Sequence, residues 1–124
     1  MNVKQLQSYC RGLPGASERL LPEPYNILVY EIHDQTFAYF KTSEPERWRF
    51  SIRVSPMRFV ELTDQPGVKP TRWRGRYHWI TIVAVANFPA DYLRELVMAS
   101  HERARQKLPL SRRPACAGPL DEPT

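Results

Sequence analysis

Apolar side chains recur along the 124-residue chain at two spacings, and the switches between them mark the elements. Val3, Leu6, Tyr9 and Cys10 follow helical intervals, and Gly12, Pro14 and Gly15 supply a stop, which predicts a first helix over Val3–Arg11. Residues 25–32 and 36–40 are rich in β-branched and aromatic side chains and are separated by His33, Asp34 and Gln35, which predicts a hairpin. Beyond Glu44-Pro45-Glu46, Trp48, Phe50, Ile52 and Val54 alternate with Arg47, Arg49, Ser51 and Arg53, the period of a strand with one apolar and one basic face. Pro56 opens a short helix through Phe59, Val60 and Leu62 that ends before Gln65-Pro66-Gly67. Residues 69–75 are too polar to assign, and residues 78–85 have the β-branched density of a central strand.

Pro89 and Asp91 open a last and longest helix, with Leu93, Leu96, Val97, Ala104 and Leu108 on one face. Arg103, Arg105 and Lys107 crowd its carboxyl end, where positive charge complements the macrodipole. Residues 109–124 carry four prolines and are expected to form a flexible tail. The order α-β-β-β-α-β-β-α, joined by short connections, predicts an α+β two-layer sandwich: an antiparallel β-sheet with helices packed on one face, over residues 1–108.

Length fits one small domain, and 42% hydrophobic with 25% charged residues argues against global disorder. The longest apolar stretch, residues 79–88, is interrupted by Thr81 and Asn87 and is far shorter than the roughly 20 residues of a membrane span. No signal-peptide core stands at the start, so the cytoplasm is the expected compartment. A monomer is the expected state. Cys10 and Cys116 have no metal-ligand or Cys-x-x-Cys spacing and read as reduced thiols.

Charge changes the picture more. The net +5 is uneven, with −2 over residues 1–46, +6 over residues 47–86 and +1 over residues 87–124. The surplus comes from Arg47, Arg49, Arg53, Arg58, Lys69, Arg72, Arg74 and Arg76, seven of them arginine, whose planar fork suits phosphate and carboxylate. A polyanion is therefore a candidate partner, against a solvated basic face as the bland alternative.

Nucleophilic catalysis finds little support. No elbow motif surrounds a Ser, Cys or Thr, and Ser100 and His101 are helix neighbours about 100° apart. His33, His78 and His101 lack ligand-type partners at metal spacings, and none of the five glycines forms a phosphate cradle. The expectation is a protein without catalytic residues, metal or cofactor. The stretch from Arg72 to Trp79 is different: Arg72, Arg74 and Arg76 interleave with Trp73, Tyr77 and Trp79 around Gly75. Guanidinium groups can neutralise phosphates while aromatic planes stack on bases, each stack worth about 1–3 kcal/mol. Arg47, Arg49 and Arg53 extend that surface if their strand neighbours the loop. The competing account makes Trp79 and Tyr77 core residues and the arginines hairpin solubilisers.

Several pieces together resemble the MmcQ/YjbR-like family of small bacterial proteins. They are Cys10-Arg-Gly-Leu-Pro-Gly15, Phe37-Ala38, Ser51-Ile-Arg-Val, Pro66-Gly-Val-Lys-Pro-Thr-Arg-Trp73, His78-Trp-Ile80 and a closing helix with Ser100. The resemblance covers about residues 1–108. It implies a two-layer fold similar to CyaY-like and secretion-chaperone architectures, and DNA binding by wing-like hairpins, a description resting on shape and charge. Arg53 stands where the family usually has lysine, and residues 74–78 replace a lysine before the late-strand Trp. The function expected is phosphate-directed DNA binding of low sequence specificity through Arg72, Trp73, Arg74, Arg76 and Tyr77, with Arg47, Arg49 and Arg53 beside them. The alternative is a chaperone-like or adaptor module that holds a protein segment.

Overall fold

Asn2 caps the first helix, α1 (Val3–Arg11): its side-chain oxygen accepts from the Gln5 N–H at 2.8 Å, and the Gln5 side chain accepts from the Asn2 N–H at 2.9 Å. Two orphan donors are satisfied in one reciprocal contact. Ser55 does half of this for α2 (Pro56–Thr63), accepting from the Arg58 N–H at 3.2 Å, with Pro56 in the first turn. The long helix α3 (Ala90–Gln106) starts after Pro89 and carries Asp91 in its first turn and Arg103 and Arg105 in its last. These elements belong to a computed structural model that describes residues 1–72 and 75–116, the side chain of Arg76 excepted.

The six strands are β1 (Ala16–Leu21), β2 (Ile27–Ile32), β3 (Gln35–Lys41), β4 (Phe50–Arg53), β5 (Val68–Pro70) and β6 (Trp79–Ile82). All neighbours are antiparallel, in the order β1-β2-β3-β4-β6-β5. Register sets the faces. Phe40, Phe50, Ile82 and Val68 form one cross-strand row and Ala38, Ile52 and Ile80 the next, all buried beneath the helices. Leu6 and Cys10 of α1, Leu62 of α2, and Leu93, Leu96, Val97 and Ala104 of α3 complete that core. The intervening row, Tyr39, Ser51, Thr81 and Lys69, lies on the opposite face.

This is the α+β sandwich expected, with an additional edge strand. β1 has no β-branched residue and a largely exposed pattern, so local propensity is silent about it. Tertiary pairs hold it instead: Arg19 bridges Glu31 of β2 at 2.9 Å, and Glu18 accepts from Tyr30 Oη at 2.6 Å and from Arg11 of α1 at 2.9 Å. The period-two run from Trp48 is shorter than its pattern, because Arg47, Trp48 and Arg49 fall in the turn before β4 and Trp48 adopts φ +69°.

Beyond residue 108 the chain folds back as far as Cys116. Arg113 donates to the carbonyls of Leu108 at 2.9 Å and Gln106 at 3.2 Å, covering the carboxyl end of α3, and Arg105 Nε donates to the Pro114 carbonyl at 2.8 Å. Pro114 then sits against Gly15, whose φ is +71° and where an added Cβ would come within 2.9 Å of the proline ring. Among the described residues no helix is long and apolar enough to cross a membrane.

Candidate nucleic-acid interface

The β5–β6 connection carries the expected loop. It leaves the sheet at Thr71, whose N–H donates to the Trp79 carbonyl at 3.0 Å, so Arg72 is the first residue past the ladder and is exposed. Trp73 and Arg74 lie outside the described residues, as does the Arg76 side chain. A single 3-10 turn, Gly75–Tyr77, returns the chain, and His78 enters β6 in the left-handed region at φ +68°. Gly75 passes close to Pro70 there, whose Cβ would lie 3.1 Å from a Cβ added at Gly75. Tyr77 is half exposed, whereas Trp79 is buried on the sheet face away from the helices, with its ring 5.7 Å from that of Tyr39.

Arg53 joins this loop. The β4–β6 register sets it opposite Trp79, and its Nε donates to the Tyr77 carbonyl at 3.1 Å. Arg72 emerges at the same end of the sheet, two strands away and so about 10 Å across the hydrogen-bonding direction. Arg47 and Arg49 do not join it. They precede Phe50, which pairs with Ile82 at the far end of β6, about 10 Å along the strand from Arg53. Each also has a carboxylate beside it: Arg47 with Glu44 at 3.6 Å and Arg49 with Glu46 at 3.5 Å. Arg58 is committed elsewhere, clamping α2 to α3 through Glu95 at 2.6 Å and Tyr92 Oη at 2.7 Å. Of the basic middle third, Arg53, Lys69 and Arg72 have no ion pair among the described residues.

Sequence reasoning missed two cations at this end of the molecule. The β3–β4 ladder runs only to the Ala38–Ile52 pair, and Ser100 of α3 fills the gap beyond it, donating to the Phe37 carbonyl at 2.6 Å and accepting from the Arg53 N–H at 3.3 Å. That contact draws α3 across the strand ends and opens a cleft of about 180 Å³ lined by Thr36, Arg53, Ser100, Arg103 and Lys107 among others. The signal was present in the helix: Ser100, Arg103, Ala104 and Lys107 stand at i, i+3, i+4 and i+7, a stripe beside the apolar one. Their positions near the carboxyl terminus made a macrodipole role sufficient explanation.

Ser100 and His101 are both tied to backbone. His101 Nε2 lies 2.8 Å from the Pro14 carbonyl, and its ring meets Phe37 edge-on at 5.2 Å. Cys10 and Cys116 are free thiols, and burial pushes the Cys10 thiol well above its ordinary value. Among the described residues no three His, Cys, Asp or Glu side chains converge to hold a metal.

The family model described as YjbR matches residues 11–103, three quarters of the chain. The chain belongs to the YjbR family. Escherichia coli K12 has a relative, uncharacterized protein YjbR, that is 30% identical over 115 residues, covering 91% of this chain and 95% of its own. The same figures hold for its counterpart in Escherichia coli O157:H7. A crystal structure of a Pseudomonas syringae protein, 19% identical, superimposes with a TM-score of 0.68 over 84% of this chain and 99% of its own, which shows a shared fold. The YjbR match takes in the Leu13-Pro14-Gly15 turn, Arg53, the whole β5–β6 connection, Ser100 and Arg103; Lys107 lies past its end.

Proposed function

We propose that this YjbR-family domain is a non-enzymatic, cytoplasmic DNA-binding protein that grips the phosphate backbone with its β5–β6 loop. Arg72, Arg74 and Arg76 are the loop cations, Arg53 stands at the loop's base, and Tyr77 or Trp73 stacks. The observation that carries this reading is the position of Arg53: hydrogen-bonded to Tyr77 at 3.1 Å, with no ion pair among the described residues, and at the same sheet end as exposed Arg72. Guanidinium groups such as those of Arg53 and Arg72, with no ion pair among the described residues, suit phosphates. Arg47 and Arg49 have no part, because local carboxylates balance them at the other end of β4. Free thiols fit a reducing compartment.

The test is a fluorescence titration with 5′-hydroxyl duplex DNA across a salt series. Binding should weaken linearly in log–log form, and Arg53→Ala or Arg72→Ala should each lower the slope by about 0.9 and weaken all sequences alike. Arg47→Ala and Arg49→Ala should change neither. Affinity that survives the combined replacement of Arg72, Arg74 and Arg76 by Ala would dispose of the loop as the binding element.

A further inference from the structure

We propose that the cleft where α3 crosses the ends of β3 and β4 is a receptor for a phosphate monoester, with Arg53, Arg103 and Lys107 as its cations. Among the described residues every charged side chain lining it is positive, and Gln35 and Thr36 of its neutral polar lining can donate hydrogen bonds, the Ser100 proton being already committed to the Phe37 carbonyl. None of the three cations has an ion pair among the described residues. The nearest carboxylate on α3, Glu102, is engaged by Arg105 at 2.9 Å and Gln106 at 2.8 Å. Asp34, exposed in the β2–β3 turn, takes a 3.4 Å contact from the Gln35 amide and has no ion pair among the described residues. Size agrees. One water needs about 10–15 Å³ of such space and a drug-sized ligand about 300–1,000 Å³, so 180 Å³ suits a hydrated phosphoryl group.

Crowding of like charge is felt in the protein alone. The Lys107 ammonium is held below its usual value by burial first and by Arg53 second, so its charge is carried against resistance that a bound anion would relieve. A monoester brings two negative charges and three unesterified oxygens end-on into a concave site. An internal phosphodiester brings one charge and two such oxygens and must leave the site in two directions. Three cations, two of them forked, match the former. The cleft shares Arg53 with the loop surface but does not depend on that surface binding DNA.

Calorimetric titration of the full chain with inorganic phosphate and with a nucleoside 5′-monophosphate tests the site, with the parent nucleoside and sodium chloride of equal ionic strength as controls. The expected result is saturable one-to-one binding with Kd of about 1 mM or below, absent for the nucleoside. Arg103→Gln and Lys107→Gln keep most of the side-chain stem and should each weaken binding by about tenfold, whereas Lys4→Gln on α1 should not. Lys107→Gln should also raise the melting temperature in phosphate-free buffer, a split that a purely structural lysine would not give. A response no larger than that to chloride, or unchanged affinity in a folded Arg103→Gln, Lys107→Gln double variant, overturns the proposal. Paired oligonucleotides then identify the source: preference for a 5′-phosphate over a 5′-hydroxyl end assigns a strand terminus, and equal binding of both, with monophosphate binding retained, assigns a free small phosphate. Inorganic phosphate needs no DNA and the loop test uses 5′-hydroxyl ends, so either reading can fail alone.

Discussion

Ser100 shows how one hydroxyl can stand in for a strand pair. Where β3 and β4 part, the Phe37 carbonyl and the Arg53 N–H would be left without each other, and the serine donates to the carbonyl and accepts from the N–H inside a site with 1% exposure. Ser100→Ala removes both partners at once, so a loss of about 2–3 kcal/mol is expected from urea unfolding. Ser100→Thr keeps the hydroxyl and separates the hydrogen bonds from packing. Gly15 is the second sensitive position. Its φ of +71° and the Pro114 ring 2.9 Å from a virtual Cβ both disfavour a side chain, so Gly15→Ala should cost more than about 1 kcal/mol by the same measurement. Deleting residues 109–124 from that variant should recover part of the loss, because the steric half of the penalty leaves with Pro114.

At the level of elements, legibility followed the source of the stabilisation. α1, α2 and α3 were readable because their apolar stripes and stop residues act locally, and α1 begins and ends where its periodicity does. β1 was not, since Ala-Ser-Glu-Arg-Leu-Leu is held by partners as distant in sequence as Glu31 and Arg11. The basic alternation before β4 misled for a related reason: period two identifies which residues would share a face, but the strand begins only at Phe50, and Arg47 and Arg49 lie before it, where they pair with Glu44 and Glu46. The cleft cations were visible as a helical stripe, yet only the crossing of α3 over the strand ends gives Arg103 and Lys107 a common target. Arg58 yields a prediction at this scale. It ties α2 to α3 through Glu95 and Tyr92 and lies 5.2 Å from the Tyr92 ring centre. Arg58→Ala should therefore speed hydrogen exchange in α2 while leaving β2 and β3 protected, with a global cost of about 1–2 kcal/mol.

For the molecule as a whole, three acidic groups beneath or beside α1 set the alkaline limit of stability. Burial, then the hydrogen bond to Glu18, pushes the Tyr30 phenol above its reference value of 10.0; burial pushes the Cys10 thiol above 9.0; and burial, then Cys10, raises Tyr9. In each case the native state holds its proton longer than the unfolded chain does. The stabilisation from these groups is thus fully present below pH 9 and is lost as pH climbs through 9.0 and 10.0 toward the folded values, by about 1 kcal/mol per pH unit for each group titrating only in the unfolded chain. Lys107 has the opposite sign, because its folded value lies below 10.5, so its deprotonation offsets a little of the fall. Urea midpoints measured between pH 8 and pH 11 should accordingly decline steeply. Tyr30→Phe should start from a lower midpoint at pH 8, having lost a 2.6 Å hydrogen bond, but decline less steeply, so that its deficit narrows as pH rises. Parallel curves for the two proteins would mean that the buried phenol is not what the native state protects, and Cys10→Ala measured in the same series would then show whether the thiol carries the dependence alone.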